Sequence, residues 1–167
     1  MRTASLVIAG LVWAVTPATT LAQDNQWKWT SSPEQSSNGG HCWMGIGHSG
    51  RKFSVHATSA RGNFLGLDSP ALGGLAAQES GSVTFAGGTP QFKHYKLAWR
   101  KADSEPTTYI ASGIDNDGVI AVLKGMILAE GFDDGMSVAV GSSGDMRFPV
   151  AGSTKAAEGF AGCMDQF

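Results

Sequence analysis

The chain has 167 residues, of which 42% are hydrophobic and 16% charged, and its formal net charge is −2 at neutral pH. A weakly acidic chain lacks the basic face that nucleic acids and anionic membrane surfaces require, so we expect neither as a partner. The 23 glycines follow no repeat period, and they predict many tight turns between short strands.

The first 22 residues have the pattern of a secretory signal peptide. Arg2 supplies the positive charge, residues 4–15 form the apolar run, and Thr20 and Ala22 are small residues suited to cleavage before Gln23. The apolar run is too short to span a bilayer with these flanks, and no second run of about 20 apolar residues follows. We therefore expect a periplasmic or secreted protein that is not inserted in the membrane after the signal is removed.

Residues 23–40 are predicted to form a polar N-terminal arm. Trp27 and Trp29 interrupt it two residues apart, which is the spacing of side chains on one face of a strand. The composition predicts a short first strand or an arm packed on the domain, followed by a loop from Ser31 to Gly40. Residues 41–167 are predicted to form a single β-rich globular domain.

The domain opens with a predicted hairpin over residues 41–59, turning at Ser49-Gly50-Arg51. If His48 pairs with Lys52, period-two alternation gives the hairpin two distinct faces. One face then carries Trp43, Phe53 and Val55. The other carries Cys42, Met44, Ile46, Ser54 and His56.

Short strands and one helical turn are predicted through the middle of the chain. A strand over residues 63–67 precedes a turn or a single helical turn, with Asp68 or Ser69 as its cap and Pro70 at its first position. A short strand covers residues 82–85. Residues 94–100 and 107–111 form a second hairpin, and alternation puts three apolar side chains on one face of its first strand: Tyr95, Leu97 and Trp99.

The last third of the chain mixes helices and strands. Residues 119–124 are predicted as a short buried helix between Asp117 and Gly125, although a strand fits the same run. Strands are predicted over residues 126–129, 136–140 and 146–150, with a turn at 133–135. Ser153 is predicted to cap a helix that ends at Met164, and its buried face carries Ala156, Phe160 and Cys163.

The chain has two cysteines, Cys42 and Cys163. Exported chains with two cysteines usually pair them, so a disulfide is predicted between the first hairpin and the last helix. Two free, buried thiols are the alternative. The predicted fold class is mainly β within α+β: an antiparallel β-sandwich-like domain with a short C-terminal helix and one disulfide.

The C-terminal third resembles the invasion-associated locus B family of small bacterial periplasmic proteins. The match is carried by Leu123-Lys124-Gly125, which in that family precedes a strand, and by residues 148–153, a Phe-x-hydrophobic-x-Gly-Ser stretch before a closing helix. The resemblance implies a periplasmic or secreted β-rich sandwich without a known catalytic site, linked to host interaction or envelope function.

Cofactor and calcium motifs are incomplete in this sequence. Residues 45–50 fit G-x-G-x-x-G by letter, but a strand rather than a helix is predicted after them, so we interpret the glycines as hairpin residues and expect no cofactor. Residues 115–118 have the start of a calcium loop, but Lys124 stands where the loop needs a glutamate.

Two chemical alternatives remain beside a binding role. Ser49 with His48 or another histidine would give a small serine hydrolase, although the full G-x-S-x-G pattern is missing. His41, Met44 and His56 would suit copper or zinc, since the predicted register turns Met44 and His56 the same way.

The function favoured by the sequence is a non-catalytic exported binding module that recognises or inhibits a protein or envelope ligand. Exposed aromatic side chains are favoured at such surfaces, and core or sheet packing is their alternative role. The candidate binding residues are Trp27, Trp29, Tyr95 and Trp99.

Overall fold

The computed structural model describes residues 28–36, 39–60, 62–87, 94–132 and 135–166. The predicted signal peptide, Trp27 and the predicted turn residues 133–134 lie outside these described residues. The described strands are β1 Lys28–Ser36, β2 Gly39–His48, β3 Arg51–Thr58, β4 Gly62–Asp68, β5 Gln78–Phe85, β6 His94–Lys101, β7 Thr108–Ile114, β8 Met136–Val140 and β9 Asp145–Phe148. The helices are α1 Asn116–Ala129 and α2 Ser153–Met164, with one 3₁₀ turn at Pro70–Leu72 that Ser69 caps, as predicted.

All nine described strands belong to one antiparallel sheet in the order β1-β2-β3-β4-β7-β6-β5-β8-β9. The sheet curls until its inner face meets itself: the rings of Phe53 in β3 and Phe148 in β9 are 6.0 Å apart between centroids. Helix α1 packs on β5 and β7, and α2 packs on β1, β2 and α1. This nearly closed, sandwich-like sheet with its C-terminal helix confirms the predicted fold class.

The disulfide is also confirmed. Cys42 in β2 and Cys163 in α2 are bonded, with their Cα atoms 5.9 Å apart, and both residues are buried. Ala156 and Phe160 lie buried on the same face of α2 as Cys163, as their helical spacing predicts. The bond therefore ties the last helix to the second strand across the hydrophobic core.

The predicted register of the first hairpin is wrong by one residue. His48 pairs with Arg51 instead of Lys52, because the turn contains two residues, Ser49 and Gly50, which both have positive φ (50° and 74°). This is the geometry favoured by two-residue hairpin loops. A one-residue slip exchanges the faces of the second strand. Phe53 and Val55 therefore join the buried face with Cys42, Met44 and Ile46, while Ser54 and His56 join Trp43 on the outer face.

Two other predicted segments differ in the structure. The predicted loop over residues 31–40 is wrong for its described residues, since β1 extends to Ser36 and β2 begins at Gly39. The predicted helix over residues 119–124 is extended to Asn116–Ala129, so the strand predicted for residues 126–129 is its last turn. Gly125 does not end the helix. It lies inside it, where a Cβ would come within 2.4 Å of the Phe85 ring, so close contact with β5 requires glycine.

The start of α2 is also capped differently from the prediction. Gly152 is the N-cap, with no side chain to offer, and Ser153 is a buried first helical residue whose hydroxyl donates to the Met126 carbonyl. The Glu130 carboxylate takes over the capping role. It accepts hydrogen bonds from the backbone N–H groups of Gly152 (2.6 Å) and Thr154 (3.0 Å) and from the Thr154 hydroxyl. The bond from the Thr154 hydroxyl foremost, and the two backbone bonds with it, lower the pKa of Glu130. A carboxylate at a helix N-terminus also interacts favourably with the positive end of the helix dipole.

Two helical glycines offer a matched test of this fold. Gly125→Ala is expected to lower the free energy of unfolding by about 1–3 kcal/mol, because the new methyl group must displace the Phe85 ring. Gly162→Ala in α2 meets no atom within 4 Å and is expected to raise it by about 0.5–1 kcal/mol through helix propensity. Urea unfolding of both variants measures the two changes. Changes of the same sign would contradict the described contact between α1 and β5.

Candidate functional site

The outer face of β2, β3, β4 and the neighbouring β7 is organised in three rows that run across the strands. Antiparallel pairing places residues directly opposite one another, so every second residue of each strand contributes to one outer row. The middle row consists of Gly45, Ser54 and Gly66, which are paired in that order across the three strands. Its two glycines carry no side chain, so the row forms a depression along the sheet.

An aromatic row borders the depression on one side. Trp43, His56 and Phe64 are paired in register across β2, β3 and β4. The His56 and Phe64 rings are stacked with centroids 4.3 Å apart and planes 8° apart, and the Trp43 ring meets His56 edge-on at 6.4 Å. All three side chains are half-buried. Each ring therefore contacts its neighbour along the row.

A polar row borders the other side. Lys52, Asp68 and Thr108 are paired across β3, β4 and β7. The Asp68 carboxylate accepts a 2.9 Å hydrogen bond from the Thr107 hydroxyl, and the Glu105 carboxylate accepts a 2.7 Å bond from the Thr108 hydroxyl. These bonds position two carboxylates beside the depression while each keeps further acceptor capacity.

We call the space between these rows the outer groove. It encloses about 380 Å³ and follows the sheet surface across β2, β3 and β4. Its lining also includes Ile46, Phe53 and Leu67, whose side chains are buried on the inner face. A volume of this order falls within the range of small-ligand sites in proteins.

The glycines set the depth of the outer groove. A Cβ at Gly45 would lie 2.7 Å from the Phe53 carbonyl oxygen, and a Cβ at Gly66 would lie 2.5 Å from the Ser54 hydroxyl oxygen. Neither residue has a positive φ, so backbone conformation does not demand glycine at these positions. Glycine is needed at both positions because neighbouring groups on the groove floor leave no room for a Cβ atom.

A chain of hydrogen-bonded side chains joins the aromatic row to the groove floor. Nε2 of His41 and Nδ1 of His56 are 3.0 Å apart, and Nε2 of His56 lies 2.9 Å from Oγ of Ser54. Burial, and secondarily the His41 side chain, lowers the pKa of His56 to about 4. The His56 ring is therefore neutral at neutral pH.

This trio has the order of a nucleophile, a base and an orienting group. Two features weigh against hydrolysis at Ser54. Ser54 lies in a strand paired on both sides, where backbone N–H groups serve the sheet ladder instead of an oxyanion. A base with a pKa near 4 is also poorly matched to proton abstraction at neutral pH. The predicted pair Ser49 and His48 lies at the turn between β2 and β3, where Ser49 is exposed.

The predicted metal trio is not brought together. Met44 is fully buried on the inner face, whereas His41 and His56 lie on the outer face in contact with each other. The one-residue error in register is the cause. Within the described part of the chain, no group of three or more His, Cys, Asp or Glu side chains is arranged to hold a metal ion.

The predicted aromatic binding residues also separate. Trp99 is 1% exposed and belongs to the core, which corrects its assignment to a surface. Tyr95 is half-buried on the inner side of β6, where its hydroxyl lies beside Gly118 of α1, and burial raises its pKa. Trp29 lies in β1, opposite Met44 in the pairing. Trp27 lies outside the described residues.

Sequence reasoning missed the outer groove. The signal was available in the alternation of β2, where Gly45 and Gly47 follow Trp43 at every second residue, and of β4, where Gly66 lies between Phe64 and Asp68. Correct register was needed to align these positions into rows.

Among the described helices, none has the length and apolar character needed to cross a membrane.

Comparison with known proteins gives no match to this chain: no family model, no curated protein and no solved structure is similar to it.

Proposed function

We propose that this protein is an exported, non-catalytic binding module that holds a segment of an envelope glycan in the outer groove. The observation that carries the proposal is the three-row surface, in which a glycine-floored depression lies between Trp43 of the aromatic row and hydrogen-bonded carboxylates. Polar groups placed beside an apolar surface are the usual composition of a ligand site.

The chemistry of the two borders favours a sugar chain as the ligand. The Trp43 ring, which lines the groove, suits the apolar C–H face of a sugar ring. Across the groove, Asp68 and Glu105 can accept hydrogen bonds from sugar hydroxyls, and Lys52 can donate to them. A groove that crosses several strands accommodates an extended chain better than a compact ligand.

Export and an envelope role are expectations from the sequence, and both are compatible with a glycan ligand. The signal-like first 22 residues and the disulfide both agree with export to an oxidising compartment. The resemblance of the C-terminal third to the invasion-associated locus B family agrees with an envelope role. In this chain, however, Leu123-Lys124-Gly125 lies inside a helix and does not immediately precede a strand.

Substitutions in the outer groove test the proposal. Soluble oligomers of N-acetylhexosamine and of neutral hexose are titrated into the purified, disulfide-intact protein by calorimetry. Saturable binding of one class is expected. Trp43→Ala should raise its Kd at least tenfold, because truncating a Trp that is a binding hot spot costs about 2 kcal/mol or more and about 1.4 kcal/mol corresponds to tenfold. Asp68→Asn should weaken binding as well, through loss of a charged acceptor.

Ile127→Ala is the matched control, since it removes an exposed apolar side chain from α1, away from the groove. It should leave the Kd unchanged. A folded wild-type protein that binds neither class of oligomer would contradict the glycan proposal. Binding that survives both groove substitutions would place the glycan elsewhere.

A further inference from the structure

We propose that His41 and His56 form a two-histidine site for a divalent transition-metal ion, with Cu²⁺ the ion bound most tightly. The two rings lie on neighbouring strands and direct a nitrogen atom toward each other, Nε2 of His41 and Nδ1 of His56. The inference keeps the two histidines of the predicted trio and needs neither Met44 nor a ligand in the outer groove.

The spacing of the two nitrogens suits a shared ion. Their separation is 3.0 Å. An ion about 2.0 Å from each imidazole nitrogen, with a ligand angle between about 90° and 109°, requires the nitrogens to be about 2.8–3.3 Å apart. Such an ion would lie about 1.3 Å off the line between them, so the lone pair of each ring must turn by about 40° from the direction of the hydrogen bond to reach it. The cross-strand register therefore already holds the donors at chelating distance.

The partners of His56 prepare its Nδ1 atom to donate a lone pair. Ser54 Oγ lies 2.9 Å from Nε2, and a proton on Nε2 that is donated to this hydroxyl leaves Nδ1 unprotonated. Ligand histidines usually have such a hydrogen bond on the second nitrogen, which fixes the ring and its tautomer. Stacking on Phe64 at 4.3 Å holds the same ring from its face.

With the His56 proton on Nε2, the hydrogen bond of the metal-free protein is donated by Nε2–H of His41 to Nδ1 of His56. Metal binding replaces this proton, which moves to Nδ1 of His41, so two neutral imidazoles ligate the ion without net proton release. Both side chains are only half-buried, so water can complete the coordination. Imidazole nitrogen favours copper, nickel and zinc, and Cu²⁺ ranks highest among the divalent first-row ions.

Titration with CuCl₂, followed by calorimetry and electron paramagnetic resonance, tests the site in the purified, disulfide-intact protein. One Cu²⁺ per chain is expected, with hyperfine structure from two imidazole nitrogens. His41→Ala and His56→Phe should each weaken binding at least tenfold; the second keeps a ring to stack on Phe64. Ser54→Ala should weaken it about tenfold by releasing the ring of His56.

The matched control is the double variant His48→Asn/His94→Asn, which removes the other two histidines of the chain and should bind Cu²⁺ as the wild-type protein does. Three results would overturn the proposal: no copper binding by the folded wild-type protein, equal loss in the control, or copper that persists in both His41→Ala and His56→Phe. The last would place the copper on other ligands. If His56→Phe does not fold, His41→Ala and the spectrum decide.

Discussion

Replacing Cys42 and Cys163 together with alanine is expected to lower the free energy of unfolding by about 2–4 kcal/mol. The bond joins residues 121 positions apart, so the oxidised unfolded chain is constrained over most of its length. It also anchors α2 to β2, and both half-cystines are buried, so their loss leaves unfilled space in the core.

Urea unfolding of the wild-type protein, the double-alanine variant and the reduced, alkylated wild-type protein measures this effect. The two proteins without the bond should unfold at clearly lower urea concentrations than the oxidised wild type. An unchanged unfolding midpoint in the double-alanine variant would contradict a stabilising role of the bond.

Trp99→Ala is expected to cost about 3–5 kcal/mol of unfolding free energy, the usual loss when a large aromatic residue is removed from a core. Trp99 is 1% exposed, and its ring lies so close to Gly81 of β5 that a Cβ there would be 2.9 Å from it. The side chain therefore fills the junction between β5 and β6.

Trp99→Phe should cost less than Trp99→Ala for two reasons. It retains a ring, and it removes an indole N–H that finds no acceptor among the described residues. A buried, unpaired donor costs about 1–3 kcal/mol, which the substitution relieves. Thermal and urea unfolding of both variants measures the difference. A free energy of unfolding of Trp99→Ala within about 1 kcal/mol of the wild-type value would contradict burial of Trp99 in the core and favour its predicted role as a surface binding residue.

The strands and the disulfide were predictable because their signals are local or chemical. Alternation identified most strands, Pro70 and Ser69 identified the 3₁₀ turn, and the pairing of the two cysteines followed from the predicted signal peptide before them. Helix α1 was predicted too short, because Gly125 normally signals a helix end. Here the glycine is required by the Phe85 ring, a contact made by tertiary structure and invisible in the local sequence.

The site was harder to predict than the fold, because a single residue of register decides it. If the turn after His48 is given three residues instead of two, Met44 and His56 fall on the same face. The row of Trp43, His56 and Phe64 is then not apparent. The two-residue turn requires Ser49 to adopt a positive φ, which is uncommon for a residue other than glycine. The local sequence does not specify a positive φ at Ser49. The sheet pairing and the burial of Phe53 and Val55 instead fix the two-residue turn.

The measurement that tests the outer groove most directly is an amide-resolved NMR titration of the protein with the bound class of glycan oligomer. The largest shift changes are predicted for residues 43–47, 52–56 and 64–68, which carry the three rows. Shift changes confined to α1 or α2, with these segments unaffected, would contradict the assignment of the outer groove as the binding site.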